Sequence, residues 1–125
     1  METLLIEQTD DSPRIVLDPV DKLFEISGKS LPEDVLEFYQ PVLDWLNAYK
    51  EEPDSNTIFN IRLIYFNTAS SKLIMDIFLI FEEMVVEGHN VLIKWHSHQK
   101  DEDMQEAGKE FAKMIAVPFE HVTYD

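Results

Sequence analysis

Ile58-Phe59-Asn60-Ile61-Arg62-Leu63-Ile64-Tyr65-Phe66 runs directly into Asn67-Thr68-Ala69-Ser70-Ser71-Lys72, and then into Leu73-Ile74-Met75-Asp76-Ile77-Phe78-Leu79-Ile80-Phe81. The first segment is rich in β-branched and aromatic residues and reads as a strand. Phe59, Ile61, Leu63 and Tyr65 share one face, and Ile64 and Phe66 add apolar character to the other, which predicts a central strand. The third segment places Leu73, Ile74, Ile77, Phe81, Met84 and Val85 at helical spacing. It predicts a helix over residues 70–87, stopped by Gly88. A strand that passes into a helix through six small or polar residues is the unit from which α/β folds are built.

Working outward, 4–9 and 14–18 read as short strands around the turn cluster Asp10-Asp11-Ser12-Pro13. Residues 23–27 form a third, ended by Gly28. Ser30-Leu31-Pro32-Glu33 has capping-box spacing and predicts a helix start. Val35, Phe38, Tyr39, Val42 and Leu46 give that helix an apolar stripe, which Pro41 should kink or split. After the polar connection 50–57 and the opening strand and helix, 91–95 reads as a buried strand. A helix starts at Asp101-Glu102-Asp103 with Met104, Ala107, Phe111 and Ile115 on one side, and 119–124 is a last strand after Pro118. The expected fold is α/β, in the order β-β-β-α-β-α-β-α-β. It is a single domain over residues 1–125, with right-handed crossovers laying helices on a mixed sheet.

Twenty-five acids against ten bases give a formal net charge of -15. Such a surface repels nucleic acid and anionic lipid. No apolar run approaches the ~20 residues of a membrane span. The chain has no cysteine, so disulfides and thiolate zinc sites are excluded. With no basic leader at the N-terminus, the expected compartment is the cytoplasm. Residues 59–99 carry four acids and three bases, and the last 26 residues seven acids and three bases. Read along the chain, the turn at 67–72 lies in the least acidic part.

The hydroxyls of Thr68, Ser70 and Ser71 crowd that turn at the positive end of a helix. Two readings are open: helix capping by any of the three, or phosphoacceptance, with Thr68 offering the hydroxyl, the Ser70-Ser71 backbone the N–H groups and Lys72 the cation. Met75, Leu79 and Val86 form a further apolar stripe beyond the core face of the helix, either a second buried side or a partner-docking patch. His96-Ser97-His98 places two histidines on one face of an extended chain near Asp101 and Asp103, a weak metal-ligand pattern without a third firm ligand. Only three glycines are present, scattered, so there is no phosphate-cradling loop, and no nucleophile elbow occurs. Trp45 and Trp95 read as core anchors.

The stretch Tyr65 to Lys72 belongs with Asp101-Glu102-Asp103-Met104, Glu106-Ala107-Gly108, Pro118-Phe119-Glu120, Pro32-Glu33 and Phe38-Tyr39 with Pro41. Together these resemble the SiaC-type regulatory phosphoproteins of bacteria, over nearly the whole chain. The resemblance implies a fold and logic similar to the STAS-type anti-sigma-factor antagonists, and a cytoplasmic switch that is no enzyme and needs no cofactor. It implies a partner kinase and a PP2C-type phosphatase. It also implies that the unphosphorylated form binds and activates a GGDEF-type diguanylate cyclase, favouring cyclic-di-GMP synthesis and aggregation or biofilm growth. The family phosphoacceptor falls on Thr68, with Asn67 positioning the turn, Ser70 and Ser71 starting the helix, and Lys72 supplying positive charge. Ala69 stands where relatives also carry serine. Two alternatives remain at this level: a STAS-like antagonist of an anti-sigma kinase that controls transcription, and a small metal-dependent enzyme built on His96 and His98.

Overall fold

The opening segment forms β4 (Asn56–Phe66) and α2 (Thr68–Val86) of a computed structural model that describes all 125 residues. Before them come β1 (Leu4–Ile6), β2 (Arg14–Asp18), β3 (Leu23–Ser30) and α1 (Val35–Tyr49). After them come β5 (Asn90–His98), α3 (Glu102–Met114) and β6 (Phe119–Tyr124). The order is the one expected. The six strands lie side by side in chain order. β1, β2 and β3 form an antiparallel meander, and β3, β4, β5 and β6 are parallel. Each parallel step advances one strand in the same direction, so crossovers of one hand put all three helices on one face.

Burial follows that layering. Phe59, Ile61 and Leu63 of β4 are buried with Phe24, Ile26, Ile93 and Trp95 in one core of 25 residues, which α1, α2 and α3 complete. On the other face Ile58, Arg62 and Ile64 are exposed. β4 is therefore central, as expected, but its second apolar face is uncovered.

A β-bulge changes the facing of β4 near its end. Gly28 pairs with Leu63, but Lys29 pairs with Tyr65, so Ile64 is an extra residue. Gly28 has φ +101, a conformation open to glycine and strained for other residues. Beyond the bulge the alternation is inverted. Tyr65, expected inside, is half-exposed at 51%, whereas Phe66 turns toward the helices and meets Trp95 edge-on, with ring centroids 6.1 Å apart. Gly28 thus bends β3 rather than ending it, and β3 continues to Ser30.

That continuation overturns the expected capping box. Ser30 is fully buried at the end of β3, and α1 is capped by Asp34, whose Oδ1 accepts from the Glu37 N–H at 3.1 Å. α1 runs unbroken through Pro41, which is exposed. Both tryptophans anchor the core as expected. Trp95 is buried and donates from Nε1 to the Met104 carbonyl (2.9 Å), while Trp45 stacks on Tyr49 and donates to the Glu2 carbonyl (2.8 Å).

Candidate functional site

β3, β4 and β5 run parallel, so α1, α2 and α3 all begin at the same edge of the sheet, with the 67–72 turn on the middle helix. The first N–H groups of a helix have no partner within it. Asn67 supplies one: it is the N-cap of α2, its backbone is extended, and its Oδ1 accepts from the Ser70 N–H at 2.8 Å. Its own N–H donates to the Ser30 carbonyl (3.1 Å), and its carbonyl accepts from the Ser71 N–H (3.0 Å). Capping is therefore the work of Asn67, not of Ser70 or Ser71, and the helix starts two residues before the expected Ser70.

The three hydroxyls separate by burial. Ser70 is fully buried, and its Oγ donates to the Ser30 carbonyl at 2.9 Å. The Ser30 Oγ donates to Ser70 Oγ (2.9 Å) and lies 2.5 Å from the hydroxyl of Tyr39 on α1. With Tyr39 donating to Ser30, Ser30 to Ser70 and Ser70 to the Ser30 carbonyl, each hydroxyl donates once and the chain closes. Burial, opposed by the bond to Ser30, pushes the Tyr39 phenol up to about 12, so it stays a donor. Ser71 is half-buried. Thr68 is exposed, in the first helical position, and its side chain makes no hydrogen bond. Ala69 and Lys72 are exposed beside it, and Lys72 forms no ion pair.

Helical geometry turns ~100° per residue. Thr68, Lys72, Met75, Leu79 and Val86 therefore fall along one side of α2. Leu79 and Val86 are exposed, the latter at 79%, and Met75 is half-buried against the core. The stripe read from sequence is thus a solvent-facing line, about 27 Å long, with Thr68 at its head.

The electrostatic setting differs from its reading along the chain. Folding brings Glu33, Asp34 and Glu37 at the start of α1, and Asp101, Glu102 and Asp103 at the start of α3, to the same edge as Thr68. Acids far away in sequence flank the turn in space. β4 and β5 also part company here: Arg62, Leu63, Tyr65 and Phe66 pair only with β3, and 96–98 only with β6. The start of α3 lies at the fork, where a groove of about 340 Å³ is lined by Ile64, Tyr65, Met104 and Ala107 with Asp101 and Asp103. Ile64 and Tyr65 carry exposed apolar surface that the sequence pattern assigned to the sheet's interior. Ile64 is exposed because no helix covers its face, and Tyr65 because the bulge at Gly28 inverts the strand, which no local pattern signals.

The histidine pair has structural partners. His96 is buried at 6% exposure with Nε2 3.0 Å from Asn60 Oδ1. Burial, then Arg62 and Lys94, lower its pKa, with Glu120 opposing. His98 Nδ1 accepts from the Lys100 N–H (3.0 Å). Asp101 caps α3 through the Met104 N–H (2.9 Å). No three His, Asp or Glu side chains gather as a metal site.

The model of the SiaC family of regulatory phosphoproteins matches residues 6–124. The chain belongs to this family. It is 30% identical to an uncharacterised protein of Pseudomonas aeruginosa strain UCBPP-PA14, over all of this chain and 99% of that one. SiaC of Pseudomonas aeruginosa superposes with a TM-score of 0.91 at 29% identity, covering 99% of this chain and 100% of that one. In a crystal structure of the diguanylate cyclase SiaD with its activator SiaC, from the same organism, the matching chain gives 0.92 at 30% identity, covering 97% and 99%. The mixed α/β architecture is thus that of solved SiaC structures. No helix of this chain is long and apolar enough to cross a membrane.

Proposed function

We propose that this chain is a cytoplasmic, non-enzymatic phospho-switch, with Thr68 as its acceptor. The unphosphorylated form docks on and activates a GGDEF diguanylate cyclase, a kinase adds the phosphate and a PP2C-type phosphatase removes it. The observation that carries the reading is the sorting of hydroxyls at the start of α2: Ser70 is sealed inside a bonded chain, while Thr68 stands free in solvent at the head of the Met75, Leu79 and Val86 line. The SiaC–SiaD complex supports a cyclase as effector.

Phosphorylation adds about -1.5 to -2 charges and three acceptor oxygens. A dianion sheds its water only at high cost, so an apolar partner surface seated along α2 would be lifted off at Thr68. Because the turn is bonded to the core through Ser30, the group blocks docking rather than refolding the domain. Lys72, unpaired and one turn along, offers the phosphate local charge.

The test is cyclic-di-GMP synthesis by the cyclase of the bacterium that carries this chain, with intact-mass analysis after kinase treatment. Wild type and Thr68→Ala should both activate, only wild type should gain phosphate, and Thr68→Asp should lose at least about tenfold in effector affinity, the ~1.4 kcal/mol scale of one lost contact. Equal phosphate uptake by Thr68→Ala would remove Thr68 as acceptor. Undiminished binding by Thr68→Asp would remove the blocking mechanism.

A further inference from the structure

The buried hydroxyl chain takes no phosphate and faces no partner, yet it holds the segment that carries the acceptor. Ser30, Tyr39 and Ser70 are each fully buried and come from β3, α1 and α2. Four contacts converge on Ser30: Asn67 N–H and Ser70 Oγ on its carbonyl, and Ser70 Oγ and Tyr39 Oη on its hydroxyl. Three hydroxyls inside an apolar core are an unusual choice, since side chains of similar shape without them fill the same space at little or no loss of stability. What hydroxyls add is direction: each bond fixes one atom against another, whereas apolar contacts let surfaces slide. Here the fixed atoms are the Oγ of Ser70 and both oxygens of Ser30, whose carbonyl also takes the Asn67 N–H, so the hydroxyls hold the anchor of residues 67 and 70, which bracket Thr68. The chain also reaches α1, so the acceptor is registered against two elements as well as its own helix.

We infer that Tyr39, acting through Ser30 and Ser70, is a positioning residue for Thr68, holding the 67–71 backbone so that the acceptor hydroxyl is presented in one place to the kinase. This rests on the reading of Thr68 as the acceptor. Tyr39 touches neither the acceptor nor the phosphate, and its effect passes through the two serines. A kinase must hold the attacking oxygen in line with the transferred phosphoryl group, and misplacement by about 1 Å can cost 10²-fold. Docking of the kinase on the outer surface does not sense the buried hydroxyls, so the loss belongs in kcat and not in KM.

The experiment uses the full chain and three variants: Tyr39→Phe, Ser70→Ala and the triple Ser30→Ala/Tyr39→Phe/Ser70→Ala. Val91→Ala, at the opposite edge of the sheet, serves as a control that softens the core elsewhere. Amide hydrogen exchange reads the turn without any partner, and steady-state phosphorylation by the kinase that modifies the wild type reads presentation. The single variants should exchange about tenfold faster at the bonded amides of Asn67, Ser70 and Ser71, the scale of one lost buried hydrogen bond, with residues 73–84 unchanged, and kcat should fall about five- to tenfold at constant KM. The triple variant separates positioning from stability. With no hydroxyl left unpaired it should melt near wild type, yet keep the fast exchange and low kcat. Turn exchange that rises only together with the rest of α2, as in Val91→Ala, would overturn the inference. So would a triple variant with wild-type kcat. Phosphate mapping to a residue other than Thr68 in the wild type would remove the acceptor reading, and the inference with it.

Discussion

Asn67 makes three backbone-fixing bonds in one residue: side-chain oxygen to the Ser70 N–H, carbonyl to the Ser71 N–H, and its own N–H to the Ser30 carbonyl. Replacing it with alanine removes only the first. The expected cost is about 1 kcal/mol, as for other N-caps, or a drop in Tm of about 4 °C for a domain of this size, with Asn67→Asp recovering most of it. Thermal melts of the three proteins measure this. His96 gives a second residue-scale expectation. Its folded pKa lies below the ordinary imidazole value because burial disfavours the charged form, aided by Arg62 and Lys94. The unfolded chain titrates near 6.5 and so takes up the extra proton first. Stability is therefore intact above about pH 6.5 and lost as pH falls through and below it. The denaturant midpoint should drop more between about pH 7.5 and 5.5 for wild type than for His96→Gln. Equal drops would assign the acid sensitivity to other groups.

At the scale of elements, α3 is placed by one close contact. A Cβ on Gly108 would come within 2.6 Å of the Trp95 ring, and that ring is buried and held by its bond to the Met104 carbonyl. Gly108→Ala must push α3 off β5. The expected loss is about 1–3 kcal/mol, the range for overpacked cores, despite alanine's better helix propensity, and chemical denaturation measures it. The elements themselves were legible in the sequence because their periods are strong: β2 and β6 have the expected bounds, and α2 begins within two residues of its expected start. What was not legible depends on pairing between distant segments. The inversion of Tyr65 and Phe66 needs the register of β3 against β4. The misplaced cap of α1 has the same origin. Ser30 has the right spacing to Glu33, but Gly28 lets β3 continue, and Ser30 is taken by Tyr39 and Ser70. Local propensity yields there to a tertiary bond.

The candidate site was legible at the scale of the whole molecule only in outline. Composition and the turn left capping and a switch both open, and the resemblance selected the switch and pointed to Thr68. That Thr68 is exposed and Ser70 buried depends on which hydroxyl the core swallows, and no spacing rule contains that. The charge reading failed for the same reason, since acids at 33–37 and 101–103 join the turn only through the parallel sheet. A net charge of -15 on 125 residues also acts on the molecule as a unit. Like charges repel more in the compact state, and salt screens them over a length of about 10 Å at 0.1 M. Raising sodium chloride from about 0.02 to 0.3 M should thus raise Tm by a few degrees, the reverse of what a fold held by surface ion pairs would do.

The bare face of the sheet has a colloidal consequence. Ile58, Ile64 and Tyr65 present apolar surface to water beside Arg62, on a side no helix covers. Two such faces attract each other, and the negative charge on each copy opposes their stacking. The acidity that looks like mere composition therefore sets the concentration and salt at which the protein stays dispersed, and dilution rather than heating is what would recover it after salting out.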